Sequence, residues 1–185
     1  RRIPRNNTCG GKRGEAGSFF VQGYTGSETY ANISPPLEWT GVPAGTVSIA
    51  LIMDSDQSIA KVTSHWVIWN IPADATGLPE AVATTTEVLA IGPSTRQGMN
   101  DDDTVGYSGP CPTAVTVPSY LARYEQKAKP KVIFNYVFHV YALDIELDLG
   151  PETTRDALLT AMEDHILGGG EITGQFAART KKVVN

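Results

Sequence analysis

The stretch SHWVIWNIP, residues 64–72, is apolar at most positions and carries one titratable side chain, His65, near its start. A second run, VSIALIMD, residues 47–54, is almost continuously apolar and ends on the carboxylate of Asp54. Strands this hydrophobic are typical of the middle of a sheet, where both faces are buried. The imidazole at the edge of such a strand could fill space, perform catalysis or hold a ligand.

The composition indicates a single globular domain rich in strands. The chain has 185 residues, of which 41% are hydrophobic and 19% are charged, and this length can bury a substantial core. No apolar run approaches the roughly 18–20 residues of a membrane helix. The net charge of -5 argues against a general nucleic-acid binder. With 18 Gly and 12 Pro beside many Thr and Val, the sequence favours strands and turns over long helices.

Further strands are predicted from their apolar and β-branched residues. The longest signal is VIFNYVFHVYALD, residues 132–144, and shorter ones occupy residues 18–21, residues 84–91 and the segment EITGQFAART that begins at Glu171. Residues 92–112 are polar and rich in Gly and Pro, which indicates a long loop of the kind that carries function.

One helix is predicted over residues 153–166, where apolar residues recur at helical spacing. Thr153 and Asp156 resemble a capping box, and the glycines of residues 168–170 are expected to stop the helix.

The first 17 residues are basic and polar and are predicted to form a flexible arm before a single domain over residues 18–185. Cys9 and Cys111 could form a disulfide or be two unrelated thiols, and sequons begin at Asn6 and Asn32. These features would fit export to the periplasm or the medium, with a cytoplasmic location as the alternative.

The motifs of common enzymes and cofactor sites are missing from the sequence. Ser108 lies in GYSGP, which lacks the second glycine of the GxSxG elbow. The three histidines have no metal-ligand spacing, and DSD at residues 54–56 and DDD at residues 101–103 do not continue as calcium loops. There is no glycine-rich phosphate loop. We therefore expect no metal, no cofactor and no enzyme of a familiar type.

Several motifs, taken in order, resemble the phosphatidylethanolamine-binding protein family, also called Raf kinase inhibitor-like proteins. They are NISPPLEWTGVP, IALIMDSD, HWVIWNIP, GMND, GYSGPCP, YVFHVYALD and AMEDHILGGGEITGQF, which together span about residues 18–178 and look most like the bacterial-type branch. The resemblance implies a mainly β, sandwich-like fold with a large central sheet, a smaller flanking sheet and a few peripheral helices.

The resemblance also implies a small pocket for phosphate-type anions or phospholipid headgroups. The matching pocket residues in this sequence are Asp54, Asp56, His65, Gly109, Pro110 and Tyr136. An imidazolium, a phenol and exposed backbone N–H groups can donate to an anion, whereas carboxylates are suited to orienting the histidine or holding an ammonium group.

The sequence departs from the family pattern in three places. Many family members have His-Arg where this chain has Phe134 and Asn135, so one wall of the pocket is expected to be apolar. An insertion of about twenty residues, at about residues 113–131, separates the GPCP turn from the long strand and could form a lid or a partner surface. The family's DPDAP loop is DSDQS here, residues 54–58.

Three functions compete on these observations. The first is a non-enzymatic module that binds a phosphate or sulfate anion or a lipid headgroup and regulates a partner, such as a kinase or protease. The second is a peptidase inhibitor that uses the insertion or the N-terminal arm. The third is an unrecognised enzyme that uses His65 with Asp54.

Overall fold

The computed structural model describes residues 32–55, 62–110 and 131–179. Within these ranges the chain forms seven strands and one helix. In chain order they are β1 (Leu37–Glu38), β2 (Ser48–Ser55), β3 (Thr63–Pro72), β4 (Gly77–Leu78), β5 (Arg96–Gln97), β6 (Lys131–Leu143), α1 (Arg155–Met162) and β7 (Ile166–Arg179).

The strands form a large and a small sheet. The large sheet has the order β5-β3-β2-β6-β7, and β1 pairs with β4 in a two-stranded sheet. All of these pairs are antiparallel. The prediction of a mainly β protein with a large central sheet and a smaller second sheet is therefore confirmed.

The two most apolar strands lie in the middle of the large sheet, as their composition predicts. Every residue of β2 is buried, and β3 is buried except at its two ends. Alternate side chains pack on opposite faces: Leu51 and Met53 join one hydrophobic cluster, whereas Ala50 and Ile52 join the other. The first cluster includes Tyr136 of β6, and the second includes the buried residues of α1. The strands therefore support a core on each face.

The helix is shorter than the sequence predicts. Its N-cap is Thr154, whose side chain accepts from the backbone N–H of Ala157. Thr153 lies one residue too early to cap a helix that begins at Arg155; its hydroxyl donates to the carbonyl of Gly150 and its own carbonyl accepts from Met99 N. The glycines of residues 168–170 do not stop the helix either, because they pair with β6 inside β7.

The strand predicted over residues 84–91 is wrong. These residues form turns with a single bridge between Glu87 and Arg96. The buried side chain of Gln97 donates to the carbonyls of Ala83 and Thr85, both at 2.7 Å. Backbone hydrogen bonds from Gln97 N to the Thr86 carbonyl and from Val88 N to the Thr95 carbonyl complete a short contact with β5 in place of a strand ladder.

Several predictions concern residues that the structure does not describe. They are the N-terminal arm, the strand at residues 18–21, both cysteines, Asp56 and nearly all of the insertion. Among the described residues, no helix is both long and apolar enough to cross a membrane.

Gly98 provides a test of how the large sheet contacts the segment before α1. A Cβ atom at this position would clash with the backbone carbonyl oxygen of Thr153, whereas a Cβ at Gly170 of β7 would meet no atom within 4 Å. We expect Gly98→Ala to lower the free energy of unfolding by roughly 1–3 kcal/mol or more, because the clash is with backbone. Gly170→Ala is the matched control. Urea unfolding that gave equal stabilities for the two variants would contradict this packing.

Candidate functional site

A one-residue irregularity in β3 positions His65. Met53 pairs with Trp66 and Asp54 pairs with Ser64, so His65 is an extra residue with no partner in the β2–β3 register. A bulge of this kind bends a strand and redirects a side chain. His65 consequently packs on the same face as Tyr136, and the two ring centroids lie 5.2 Å apart in an edge-to-face arrangement.

Both ring nitrogens of His65 are hydrogen-bonded. Nδ1 lies 3.0 Å from the backbone oxygen of Ser108, and Nε2 lies 2.8 Å from the hydroxyl oxygen of Ser55. A carbonyl oxygen can only accept, so Nδ1 carries a proton. In the neutral ring Nε2 then has the lone pair, and Ser55 donates its hydroxyl proton to it.

The surroundings of His65 favour the neutral ring. Burial lowers the pKa of His65 from its ordinary value, since a charged imidazolium loses solvation there. The charge of Asp102, the carbonyl of Ser108 and the charges of Asp54 and Asp101 act in the opposite direction without overcoming burial. Burial therefore keeps His65 neutral, and the nearby carboxylates make its protonation less unfavourable than burial alone would.

The loop at residues 98–110 holds the Ser108 carbonyl in place. The Ser108 N–H donates to the carbonyl of His65 at 2.8 Å, and its hydroxyl donates to Asp102 at 2.5 Å. Asn32 connects the same loop to the start of the described chain, because its amide donates to the Tyr107 carbonyl and accepts from Gly109 N, both at 2.8 Å. The loop is thus fixed by hydrogen bonds on both sides of Ser108.

The structure brings together four of the six residues predicted for the pocket. His65 and Tyr136 are in ring contact, and the backbone of Gly109 and Pro110 follows the Ser108 carbonyl that accepts from His65. Phe134 is buried in the same cluster as Tyr136, in agreement with the apolar wall expected there. Asp56 lies outside the described residues.

Asp54 points to the other face of the sheet. Its Oδ2 accepts from Arg155 Nε at 2.8 Å, at the start of α1. Burial raises the pKa of the Asp54 carboxyl, although the hydrogen bond and the charge of Arg155 lower it in part. Asp54 therefore influences His65 through its charge, whereas its carboxylate is hydrogen-bonded to Arg155.

A cavity of about 490 Å³ adjoins Asp54 on this second face. Its lining residues come from β2, β6, β7, α1 and the residue before β3, namely Asp54, Ser55, Val62, Asn135, Val137, His139, Arg155 and Thr173. His139 lies on the face of β6 opposite to the buried Phe134. It lies 3.4 Å from Glu171 of β7.

Sequence reasoning missed several residues that build the site. Ser55 stood between two aspartates in a recognised motif, so its position was visible although its role was not. Arg155 is 101 residues from Asp54 in sequence, and no local pattern indicates that the two side chains meet. Asn32 joins a loop 77 residues away in the same manner.

The Asp54–Arg155 contact gives a pH-dependent prediction. Arg155→Met should lower the free energy of unfolding by roughly 1.5–3 kcal/mol at pH 8, since a buried carboxylate loses a charged donor. Without the cation the carboxyl pKa should rise further. The Asp54 carboxyl has a pKa near 3.8 in the unfolded chain and a higher pKa in the folded chain. The raised pKa therefore stabilises the fold at pH values below 3.8, and this stabilisation is lost as the pH rises through the pKa of the folded chain.

The cost of Arg155→Met should therefore shrink from pH 8 to pH 5, as Asp54 begins to take up a proton. Asp156→Asn is the control, because it removes the exposed partner of the same arginine and should cost roughly 0–1 kcal/mol. Chemical unfolding at both pH values measures the difference. A cost for Arg155→Met that is no larger than that of the control would show that the contact contributes little.

Comparisons with known proteins agree with this architecture. A UPF0098 protein of Methanothermobacter thermautotrophicus is 38% identical over 175 residues, which cover 95% of this chain and 90% of that protein. A UPF0098 protein of Aquifex aeolicus is 31% identical over 175 residues, covering 94% of this chain and 80% of that protein.

Solved structures show the same fold. Escherichia coli YbcL, described as a new member of the mammalian phosphatidylethanolamine-binding protein family, has a TM-score of 0.71 at 25% identity, covering 86% of this chain and 91% of that one. A putative homologue of the same family from Chlamydia trachomatis has a TM-score of 0.62 at 26% identity, covering 83% and 85%. The phosphatidylethanolamine-binding protein family model matches residues 3–177. This chain belongs to the phosphatidylethanolamine-binding protein family.

Proposed function

We propose that the chain is a non-enzymatic binding protein with a small pocket for phosphate-type anions, sulfate or phospholipid headgroups, and that the occupied pocket regulates a partner protein. Family membership supports a binding role. The pocket residues in this proposal are Asp56, His65, Gly109, Pro110 and Tyr136, whereas Asp54 acts on His65 through its charge from the other face of the sheet.

The hydrogen bonds of His65 carry the proposal. Because Nδ1–H is committed to the Ser108 carbonyl, a second proton can enter the ring only at Nε2, which lies against Ser55. Once Nε2 is protonated, it donates to the Ser55 oxygen, so the Ser55 hydroxyl no longer donates to the ring. The hydroxyl can then donate a hydrogen bond to an anion, and the positive charge of the imidazolium strengthens that bond.

The pocket should bind its anion weakly. One charge-assisted hydrogen bond contributes about 1.5–3 kcal/mol. Phe134 adds no donor, and the charge of Asp102 lies close enough to act on His65. Dissociation constants of roughly millimolar are expected for such a site.

A route from the pocket to the protein surface supports the regulatory part of the proposal. Ser108 accepts from His65 through its carbonyl and donates to Asp102 through its hydroxyl. Asp101, Asp102 and Asp103 are exposed. A change in the charge of the pocket would thus act on an acidic surface loop that a partner could contact.

Sulfate titration followed by NMR tests the pocket, because sulfate keeps a constant charge over the pH range needed. Affinity should rise as pH falls below about 6.5, the ordinary value for histidine, since burial lowers the pKa of His65 and anion binding favours imidazolium. His65→Gln should remove this pH dependence. Glycerophosphoethanolamine, a phosphodiester headgroup, used in a parallel titration, distinguishes a lipid headgroup site from a site for free anions.

Two carboxylate variants sharpen the test. Asp102→Asn should shift the midpoint of the pH dependence lower, because the Asp102 charge is the foremost group favouring the protonated ring. Asp103→Asn, its exposed neighbour, is the control and should leave the midpoint in place. Sulfate binding that is independent of pH, or that leaves the resonances of His65, Gly109 and Tyr136 unmoved, would refute the proposed site.

A further inference from the structure

The side-chain amide of Asn32 binds the two peptide groups on either side of Ser108. Its nitrogen donates to the carbonyl of Tyr107 at 2.8 Å, and its oxygen accepts from the N–H of Gly109 at 2.8 Å. A reversed amide would set two donors against each other and two acceptors against each other. These partners therefore fix the orientation of the Asn32 amide.

The same two peptide groups contact His65 at their other ends. The peptide group of residues 107–108 donates the N–H of Ser108 to the backbone carbonyl of His65 at 2.8 Å. The peptide group of residues 108–109 presents the carbonyl of Ser108 to Nδ1 of His65 at 3.0 Å. Each peptide group is thus held at one end by His65 and at the other end by Asn32.

The bond from Gly109 N–H to Asn32 restricts the direction of the Ser108 carbonyl, because a peptide group is planar. Hydrogen bonds at both ends also polarise the peptide group, which makes its carbonyl a better acceptor. This carbonyl requires a proton on Nδ1 of His65, since an unprotonated nitrogen would place two acceptors against each other. A correctly directed Ser108 carbonyl therefore determines which ring nitrogen carries the proton.

We propose that Asn32 is a positioning residue that sets the tautomer of His65 through the two peptide groups beside Ser108. Its amide keeps the proton of the neutral ring on Nδ1, so Nε2 faces Ser55 and takes up the second proton. The inference rests on the proposed function, because protonation of Nε2 frees the Ser55 hydroxyl for an anion. The N–H of Gly109 donates to Asn32, so the donor that responds to the ring charge is the Ser55 hydroxyl.

A matched amide elsewhere in the chain provides the control. The side chain of Asn70 donates to the carbonyl of Leu147 at 2.9 Å and accepts from the N–H of Leu147 at 2.8 Å. Leu147 belongs to the hydrophobic cluster on the face of the sheet opposite to Tyr136. Asn70 has a φ of 53°, which glycine adopts without strain. Asn70→Gly therefore removes a bridging amide remote from His65 and leaves the backbone conformation accessible.

The test follows the His65 ring by NMR in the isotope-labelled full chain, with no anion added. At pH 8 the unmodified chain should carry the ring proton on Nδ1. In Asn32→Ala the ratio of the Nδ1–H form to the Nε2–H form should fall about three- to tenfold, the contribution of one ordinary hydrogen bond. Asn70→Gly should lower the free energy of unfolding but leave this ratio unchanged.

The pKa of His65 gives a second readout. Asn32→Ala should lower this pKa, because a less well directed carbonyl stabilises imidazolium less. Asn32→Asp should raise it, since the new carboxylate adds a negative charge, and should keep the Nδ1 tautomer, since it still accepts from Gly109 N–H. Besides burial, the groups that act on the ring are Asp102, the Ser108 carbonyl, Asp54 and Asp101, and Tyr136 contacts it as a neutral ring.

The proposal is overturned if Asn32→Ala leaves the tautomer ratio unchanged, if it raises the pKa of His65, or if Asn70→Gly shifts the tautomer ratio as much. Should Asn32→Ala prove unfolded by circular dichroism, Asn32→Gln replaces it with the same expected shifts, because its longer side chain displaces the amide from both peptide groups. None of these measurements uses an anion. A sulfate titration of the same samples then judges the proposed function by itself.

Discussion

The extra residue of β3 that lies opposite the end of β2 is the constraint on which the site depends. β2 and β3 are buried on both faces, so in a regular ladder a polar side chain between Ser64 and Trp66 would face one of two hydrophobic clusters. The register shift leaves His65 outside the pairing and lets its backbone carbonyl accept from Ser108. The cost of burying the ring is offset because both of its nitrogens form hydrogen bonds.

The same strand end sends two neighbouring polar residues in opposite directions. Ser55 turns towards His65 on the face that carries Tyr136, whereas Asp54 meets Arg155 on the face that carries α1. A carboxylate beside His65 would favour a permanently charged ring, as opposite charges within a few ångströms do. Because the buried carboxylate of Asp54 contacts Arg155 and not His65, His65 stays neutral. The charge of Asp54 still acts on the ring from a distance and makes its protonation easier.

The central strands could be predicted because their composition alone requires burial on both faces, and the position of His65 near Tyr136 followed from family motifs. Contacts between side chains that lie far apart in the sequence could not be predicted. The Gln97 side chain binds the carbonyls of Ala83 and Thr85 beside the one bridge at residues 84–91, and Thr153 is held before the helix by its hydrogen bonds to Gly150 and Met99. In both cases local propensity was overridden by a tertiary hydrogen bond. The roles of Arg155 and Ser55 were missed because they too depend on tertiary hydrogen bonds.

The hydrogen-bond chain Ser108–His65–Ser55 connects the protonation of His65 to the proposed anion binding. With a neutral ring the Ser55 hydroxyl donates to Nε2 of His65, so it cannot donate to an anion. With a charged ring Nε2 donates to the Ser55 oxygen, and the serine hydroxyl can then donate to an anion. An anion that binds the protonated form must therefore raise the pKa of His65, and by linkage protonation of His65 must strengthen anion binding. Burial of His65 opposes this form at neutral pH, whereas the charge of Asp102 favours it as the pH falls.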